Sequence, residues 1–138
     1  MLLPCFDSFA IFSDDFLNIA PSNLNALTKN LIKNKYNDVI RQYKSDLYPF
    51  ACDFYIPSQN TYIECHFHWT HGGRPFDKTN DNDKNMLKLW EHKNTKFYQN
   101  AIYTWTCLDV KKRETAKHNN LIFYEFYTIL ELINWLNN

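Results

Sequence analysis

Glycine is nearly missing from this chain: the only two, Gly72 and Gly73, are adjacent, and they are expected to supply a turn where the backbone passes close to a ligand. Cysteine is sparse as well, and its four positions, 5, 52, 65 and 107, include no CxxC pair. That spacing excludes a disulfide framework and a zinc ribbon, and it points to a reducing, cytoplasmic setting. Net charge is also absent, with 15 basic residues against 15 acidic ones. No overall positive field advertises a polyanionic partner, so any nucleic-acid surface has to come from local segregation of charge. No apolar run approaches the roughly 18 residues of a membrane span, and the opening stretch MLLPCFDSFAIFSDDF lacks a basic start. Neither a membrane partner nor a signal peptide is expected. Internal repeats and low-complexity linkers are missing too; only HGGRPFDKTNDNDKN reads as a long loop.

What is present is material for a core. Hydrophobic residues make up 45% of the 138, and 9 Tyr and 11 Phe help bring the aromatics to 17%. A chain of this length buries roughly two-thirds of its unfolded surface as one domain, so 1–138 is read as a single unit. Residues 1–20 form an arm or short helix. Pro21-Ser22-Asn23 is a helix start, and apolar residues from Leu24 to Tyr43 at mostly helical spacing predict a helix reaching about Ser45. On that helix Lys33, Arg41 and Lys44 share an arc of about 80°, a basic stripe suited to a phosphate backbone or to plain solvation.

The runs YPFACDFYI and TYIECHF, separated by Pro57-Ser58-Gln59-Asn60, predict a hairpin. Further along, Asp83 is a cap for a helix NMLKLWEHK, Tyr103 to Cys107 a strand, and Asp109 the N-cap of VKKRETAKH with Asn119-Asn120 at its exit. LIFYEF is a strand and TILELINWL a final amphipathic helix. Helices alternating with strands predict an α/β layered domain with a mixed sheet.

The segment from Cys52 to Asp77 concentrates the chemistry: two Asp, one Glu, three of the five His, two of the four Cys and both Gly. Strand alternation puts Glu64, His66 and His68 on one face and Ile63, Cys65 and Phe67 on the other. Two carboxylates on adjacent strands, Asp53 and Glu64, suit a hard divalent cation such as Mg²⁺ or Mn²⁺, with the backbone carbonyl of Cys65 as a third oxygen. His66, two residues past the Glu, shares its face and can position or activate water, as can His71; imidazole titrates near neutrality. Zinc is disfavoured, because Cys65 points away from His66 and His68 and no ligand spacing fixes a tetrahedral set. The bland alternative is a hairpin with a polar face.

The stretch CDFYIPSQNTYIECH resembles the PD-(D/E)XK nucleases of the restriction-endonuclease-like superfamily, whose pattern is Asp, a turn, then Glu-x-Lys. His66 stands here in place of Lys, and Ala51-Cys52 precede the Asp. Asp53, His66 and His71, with Phe67, Trp69 and Thr70 between the histidines, look more closely like the very-short-patch repair endonucleases and related homing-type nucleases, in which one His is the general base. TWTCLDVKKRETAKH, with Asp109, Lys112, Arg113 and Ala116, looks like a second block of phage and mobile-element nucleases; together the blocks span about residues 48–127. The resemblance implies a three-layer α/β/α domain with a central mixed sheet. It also implies an Mg²⁺- or Mn²⁺-dependent DNA endonuclease in which Asp53, Glu64, His66 and His71 are catalytic. Arg74, Lys112 and Arg113 would meet phosphates, Trp69 would stack or wedge against a base, and Asp38 would be a further carboxylate on the first helix. The substrate would be double-stranded, mismatched or branched DNA, and a domain this small often needs a homodimer or an added DNA-reading module. The alternatives are an inactive nucleic-acid-binding module and a small interaction or inhibitor protein on the same fold.

Overall fold

The computed structural model describes residues 21–138, so the arm expected over residues 1–20 lies outside the described part. Helix α1 (Pro21–Lys35) leads to strand β1 (Ile40–Tyr43), then β2 (Cys52–Ile56), a short 3₁₀ turn (Pro57–Gln59) and β3 (Thr61–Cys65). A second 3₁₀ turn (Trp69–His71) precedes α2 (Asp81–Lys93) and α3 (Lys96–Tyr103). A π turn (Thr104–Leu108) joins α3 to α4 (Asp109–His118), and β4 (Ile122–Phe126) and α5 (Ile129–Leu136) complete the chain. The four strands form one mixed sheet in the order β1-β2-β3-β4, antiparallel except for the parallel pair β3–β4. The expected hairpin is present, with Phe54 opposite Ile63 and Tyr55 opposite Tyr62.

Alternation along β3 divides the core. Phe54, Ile56, Ile63 and Phe126 pack with Ile32 of α1 and with Leu132 and Leu136 of α5. On the other face Tyr62, Cys52 and Tyr48 pack with Ala116 of α4. A third cluster, Trp90, Ala101 and Trp105, closes α2, α3 and the π turn on one another. The domain is therefore mixed α/β, with helices against both faces of the sheet. No helix among the described residues is long and apolar enough to cross a membrane.

Several expectations need correction. The first helix stops at Lys35, not Ser45, and Ile40–Tyr43 is a strand. Tyr36, Val39, Ile40 and Tyr43 fit a helical period, but β-branched and aromatic residues also suit a sheet edge, and tertiary pairing decides. Lys33, Arg41 and Lys44 thus share no helical stripe: one is on α1, one on β1 and one just beyond it. Asp38 is not on a helix; its carboxylate accepts from the Ser58 N–H at 2.7 Å and the Ser58 hydroxyl at 3.1 Å, pinning the turn after α1 to the 3₁₀ turn.

The strand expected from Tyr103 to Cys107 is helical. Thr106 satisfies its hydroxyl on the Ile102 carbonyl at 2.6 Å, and Trp105, 1% exposed, donates its indole N–H to the Arg74 carbonyl at 2.8 Å. Asp109 is in consequence the first residue of α4 rather than its N-cap and caps nothing, because the backbone before it is already helical. The cap of α2 is Asn80 rather than Asp83; Asp83 sits in the first turn, where it accepts from the Asp77 N–H at 2.9 Å.

Candidate active site

The expected residues gather where β2 begins and β3 ends. The paired register of the hairpin runs from Ile56–Thr61 to Phe54–Ile63 and stops there. At the next step the Asp53 side chain, through Oδ2, accepts the Cys65 N–H at 2.8 Å. A carboxylate thus stands where a strand partner would, and Asp53 is held against the backbone of Cys65. Opposite it, Gln42 has φ +52, a conformation uncommon outside Gly and Asn. The strand changes faces there: Arg41 reaches over the Phe54 ring, whereas Tyr43 stacks on Tyr55 at 4.1 Å. Asp53, Gln42, Arg41, Asn25, Phe54 and Cys65 line a small cavity of about 90 Å³.

Glu64 points to the α4 face, 2% exposed. The Tyr48 hydroxyl donates to its Oε1 at 3.2 Å, and Lys112 Nζ lies 3.4 Å from Oε2. Burial and the nearby Asp53 charge nevertheless push its pKa up to about 7, against the pull of Lys112 and His66. Removing this carboxylate from water outweighs the attraction of one ammonium. A carboxylate whose proton affinity is raised by burial and by a second carboxylate nearby is a donor that a divalent cation relieves, so Glu64, with Asp53 beside it, fits such an ion provided Glu64 yields Lys112.

His66 follows on the same face as Glu64, as alternation predicts, and is 2% exposed. Its N–H bonds the Phe126 carbonyl at 2.7 Å, extending the parallel pairing one residue past β3. Its ring Nε2 is 3.1 Å from Glu125, and Arg113 grips that same carboxylate twice, at 2.7 and 2.8 Å. Burial pushes Glu125 up, but the hydrogen bonds from His66 and Arg113 win and hold it below the usual carboxylate range. An ionised Glu125 only accepts, so the Nε2 of His66 carries the proton. His68 leaves the cluster: it caps the 3₁₀ turn, its Nδ1 3.0 Å from the Thr70 hydroxyl.

His71 comes back into the site because the 3₁₀ turn and Gly72, at φ +72, reverse the chain. Its ring stacks on His66 with centroids 4.3 Å apart, and its Nδ1 lies 2.6 Å from Asp109 Oδ2. Asp109 is 1% exposed, and its other oxygen, Oδ1, has no hydrogen-bond partner. A buried carboxylate on Nδ1 fixes the tautomer and leaves Nε2 as the basic nitrogen of a neutral ring.

Asp109, Lys112, Arg113 and Ala116 are spaced i, i+3, i+4, i+7, one face of a helix, and that face of α4 lies on the sheet. Asp109 meets His71, Lys112 meets Glu64, Arg113 meets Glu125, and Ala116 packs with Tyr62 and Tyr48. Lys112 and Arg113 are thereby engaged with strand carboxylates rather than projecting freely. Arg74, on the loop, pairs with Asp83 at 3.5 Å and is about half exposed. Trp69, 41% exposed, stands at the edge of an aromatic cluster with Trp90, Phe97 and Tyr98, at centroid distances of 5.2 to 5.4 Å. Sequence reasoning missed Glu125, Tyr48 and Tyr127, whose hydroxyl accepts from Arg113 at 3.2 Å, and it assigned Asp109 only a capping or motif place. A lone Glu between Tyr124 and Phe126 gave too faint a signal. A larger cavity, about 460 Å³, lies at the far end of β3 and β4 around Tyr36, Tyr124 and Trp135, away from this chemistry.

Comparison with family models, with curated proteins and with solved structures gives no match for this chain.

Proposed function

We propose that this chain is a divalent-metal-dependent endonuclease that hydrolyses phosphodiester bonds of DNA, on a restriction-endonuclease-like three-layer domain. The observation that carries the reading is the pair of His71 and the buried Asp109, at 2.6 Å, beside the stacked His66 ring and the Glu64 and Asp53 carboxylates. A central mixed sheet with helices against both faces is also the kind of architecture the resemblance implies.

Asp53 and Glu64 would hold Mg²⁺ or Mn²⁺, with the Cys65 carbonyl beside them. That ion, when bound, neutralises charge on the phosphate oxygens and the departing oxyanion. His71 accepts the proton of the attacking water at Nε2, and Asp109 keeps the ring in the right tautomer and stabilises the imidazolium that forms. His66, locked by Glu125 and Arg113, walls the site and carries the stack that orients His71. Lys112 is 15% exposed at its side chain and stands 3.4 Å from Glu64. With Glu64 committed to a bound cation, Lys112 would be free to meet a phosphate oxygen. Arg74 and the exposed edge of Trp69 flank the same loop and would meet the backbone and a base.

The test is nicking of supercoiled plasmid and of a mismatched duplex by purified protein with Mg²⁺ or Mn²⁺. Wild type should cut, and Asp53→Ala and His71→Ala should not. Undiminished cutting by either variant would end this mechanism.

A further inference from the structure

We propose that His66, His71 and Asp109 form a binding site for a first-row transition cation, Zn²⁺ being the ion whose chemistry fits, distinct from the hard-cation site on Asp53 and Glu64. Each of the three residues offers one ligand atom, and the three atoms lie within 4.8 Å of one another. Donors about 2.0–2.2 Å from one tetrahedral ion are about 3.3–3.6 Å apart, so side-chain adjustment alone brings them to bonding distance.

An independent observation points to a ligand. Asp109 Oδ1 is buried without a hydrogen-bond partner, while Oδ2 is already spent on His71. A carboxylate oxygen in that position lacks the positive charge or donor that burial demands, and a cation supplies it. The surroundings match an imidazole–metal site as well. Glu125 accepts the Nε2–H of His66 at 3.1 Å, leaving Nδ1 for an ion, and Arg113 fixes Glu125 in turn. Such a carboxylate behind the ring orients metal-binding histidines and raises their basicity.

The donor set selects the ion. Two imidazoles and one carboxylate suit Zn²⁺ and its neighbours, whereas Mg²⁺ requires an octahedron of oxygens and keeps its waters. Three protein donors leave a fourth position open, and His71, whose side chain is 22% exposed, gives the ion a way in. Cys52 and Cys65 stand apart: Cys52 Sγ is hydrogen-bonded to the Phe54 and Ile63 carbonyls, and Cys65 packs on the opposite face of the sheet.

The site does not depend on DNA cleavage. If the nuclease reading also holds, a corollary resting on that reading follows: Zn²⁺ occupies the imidazole that would accept the proton, so Zn²⁺ opposes Mg²⁺-supported cutting.

The experiment uses full-length, tag-free, chelator-stripped protein titrated with Zn²⁺ by calorimetry and with Co²⁺ by visible absorption. One equivalent should bind, with Co²⁺ ligand-field bands and no thiolate charge-transfer band. His71→Ala and Asp109→Asn should each weaken Zn²⁺ binding by more than about a hundredfold and Glu125→Gln by about 10–100-fold. Cys65→Ser and Asp53→Ala should leave it unchanged. If Asp109→Asn fails to fold by circular dichroism, His71→Ala, at the more exposed donor, decides alone. No stoichiometric binding, a thiolate band, or undiminished affinity in His71→Ala overturns the site. Zn²⁺ binding without cleavage in any metal would overturn the nuclease reading and uphold this site; cleavage without Zn²⁺ binding would do the reverse.

Discussion

The two halves of the site treat buried charge in opposite ways. On the carboxylate side Glu64 has both oxygens engaged, by Tyr48 and Lys112, and still holds a proton up to about pH 7. On the histidine side Asp109 has one oxygen engaged and the other without a partner, 1% exposed. The difference shows that hydrogen-bond count is a poor guide to where a cation is wanted. Glu64 is satisfied geometrically but over-desolvated and close to Asp53; Asp109 has the strong imidazole contact but lacks a second donor. One half is tuned by proximity of like charge, the other by a vacancy in its hydrogen bonding.

The sharpest break between the halves should come from His71→Ala, which removes the base and leaves the carboxylates intact. Its kcat should fall about 10²–10⁴-fold in single-turnover cleavage, whereas DNA binding with Ca²⁺ in place of Mg²⁺ should stay within about threefold; a matching loss of binding would make His71 a contact rather than a base. Next in size is the turn that delivers His71. A Cβ on Gly72 would lie 2.1 Å from Cε2 of the buried Trp105 ring, at φ +72, whereas Gly73, at φ +75, has nothing within 4 Å. Urea denaturation should show Gly72→Ala costing about 2–5 kcal/mol, overpacking added to left-handed strain, and Gly73→Ala only about 1–2 kcal/mol from the strain. Equal losses would mean the indole yields freely.

A smaller effect separates the halves by pH. Glu64 has its folded pKa raised, from 4.5 to about 7, so the folded state holds a proton that the unfolded chain has already released. Stability from this group is therefore fully present below about pH 4.5 and declines as pH rises to about 7, by on the order of 3 kcal/mol in metal-free protein. Glu64→Gln should flatten that decline in denaturant midpoints measured from pH 5 to pH 8. An unchanged slope would place the charge repulsion elsewhere. The smallest effect should come from Asp38→Ala, which frees the exposed turn at Ser58 and should lower the denaturant midpoint slightly without altering cleavage.

Much of the site was readable because it is local. Cys52 to His71 is a hairpin and a turn, and period-two alternation alone puts Glu64 and His66 on one side. Glu125 and Asp109 were not readable as partners, since each meets its histidine across 59 and 38 residues of sequence. The strand expected over Tyr103 to Cys107 failed for a related reason. Tyr, Thr and Trp in alternation favour a sheet, but here Trp105 is claimed by Trp90 and Phe76 and by the Arg74 carbonyl, contacts that only the tertiary fold supplies. β1 was hidden because four apolar residues fit two periods, and Asp38, which binds Ser58 twenty residues away, makes the break between α1 and β1.

The π turn at Thr104–Leu108 gives the domain a sensitivity to length that no substitution would reveal. Each helical residue advances the chain by about 100° and 1.5 Å, so one residue removed between Tyr103 and Asp109 would rotate everything after it by a quarter turn or more. Asp109, Lys112, Arg113 and Ala116 would swing off the sheet together, with no side chain changed. The alignment of α4 with its three strand partners is a matter of phase, and the wide turn is where that phase is set.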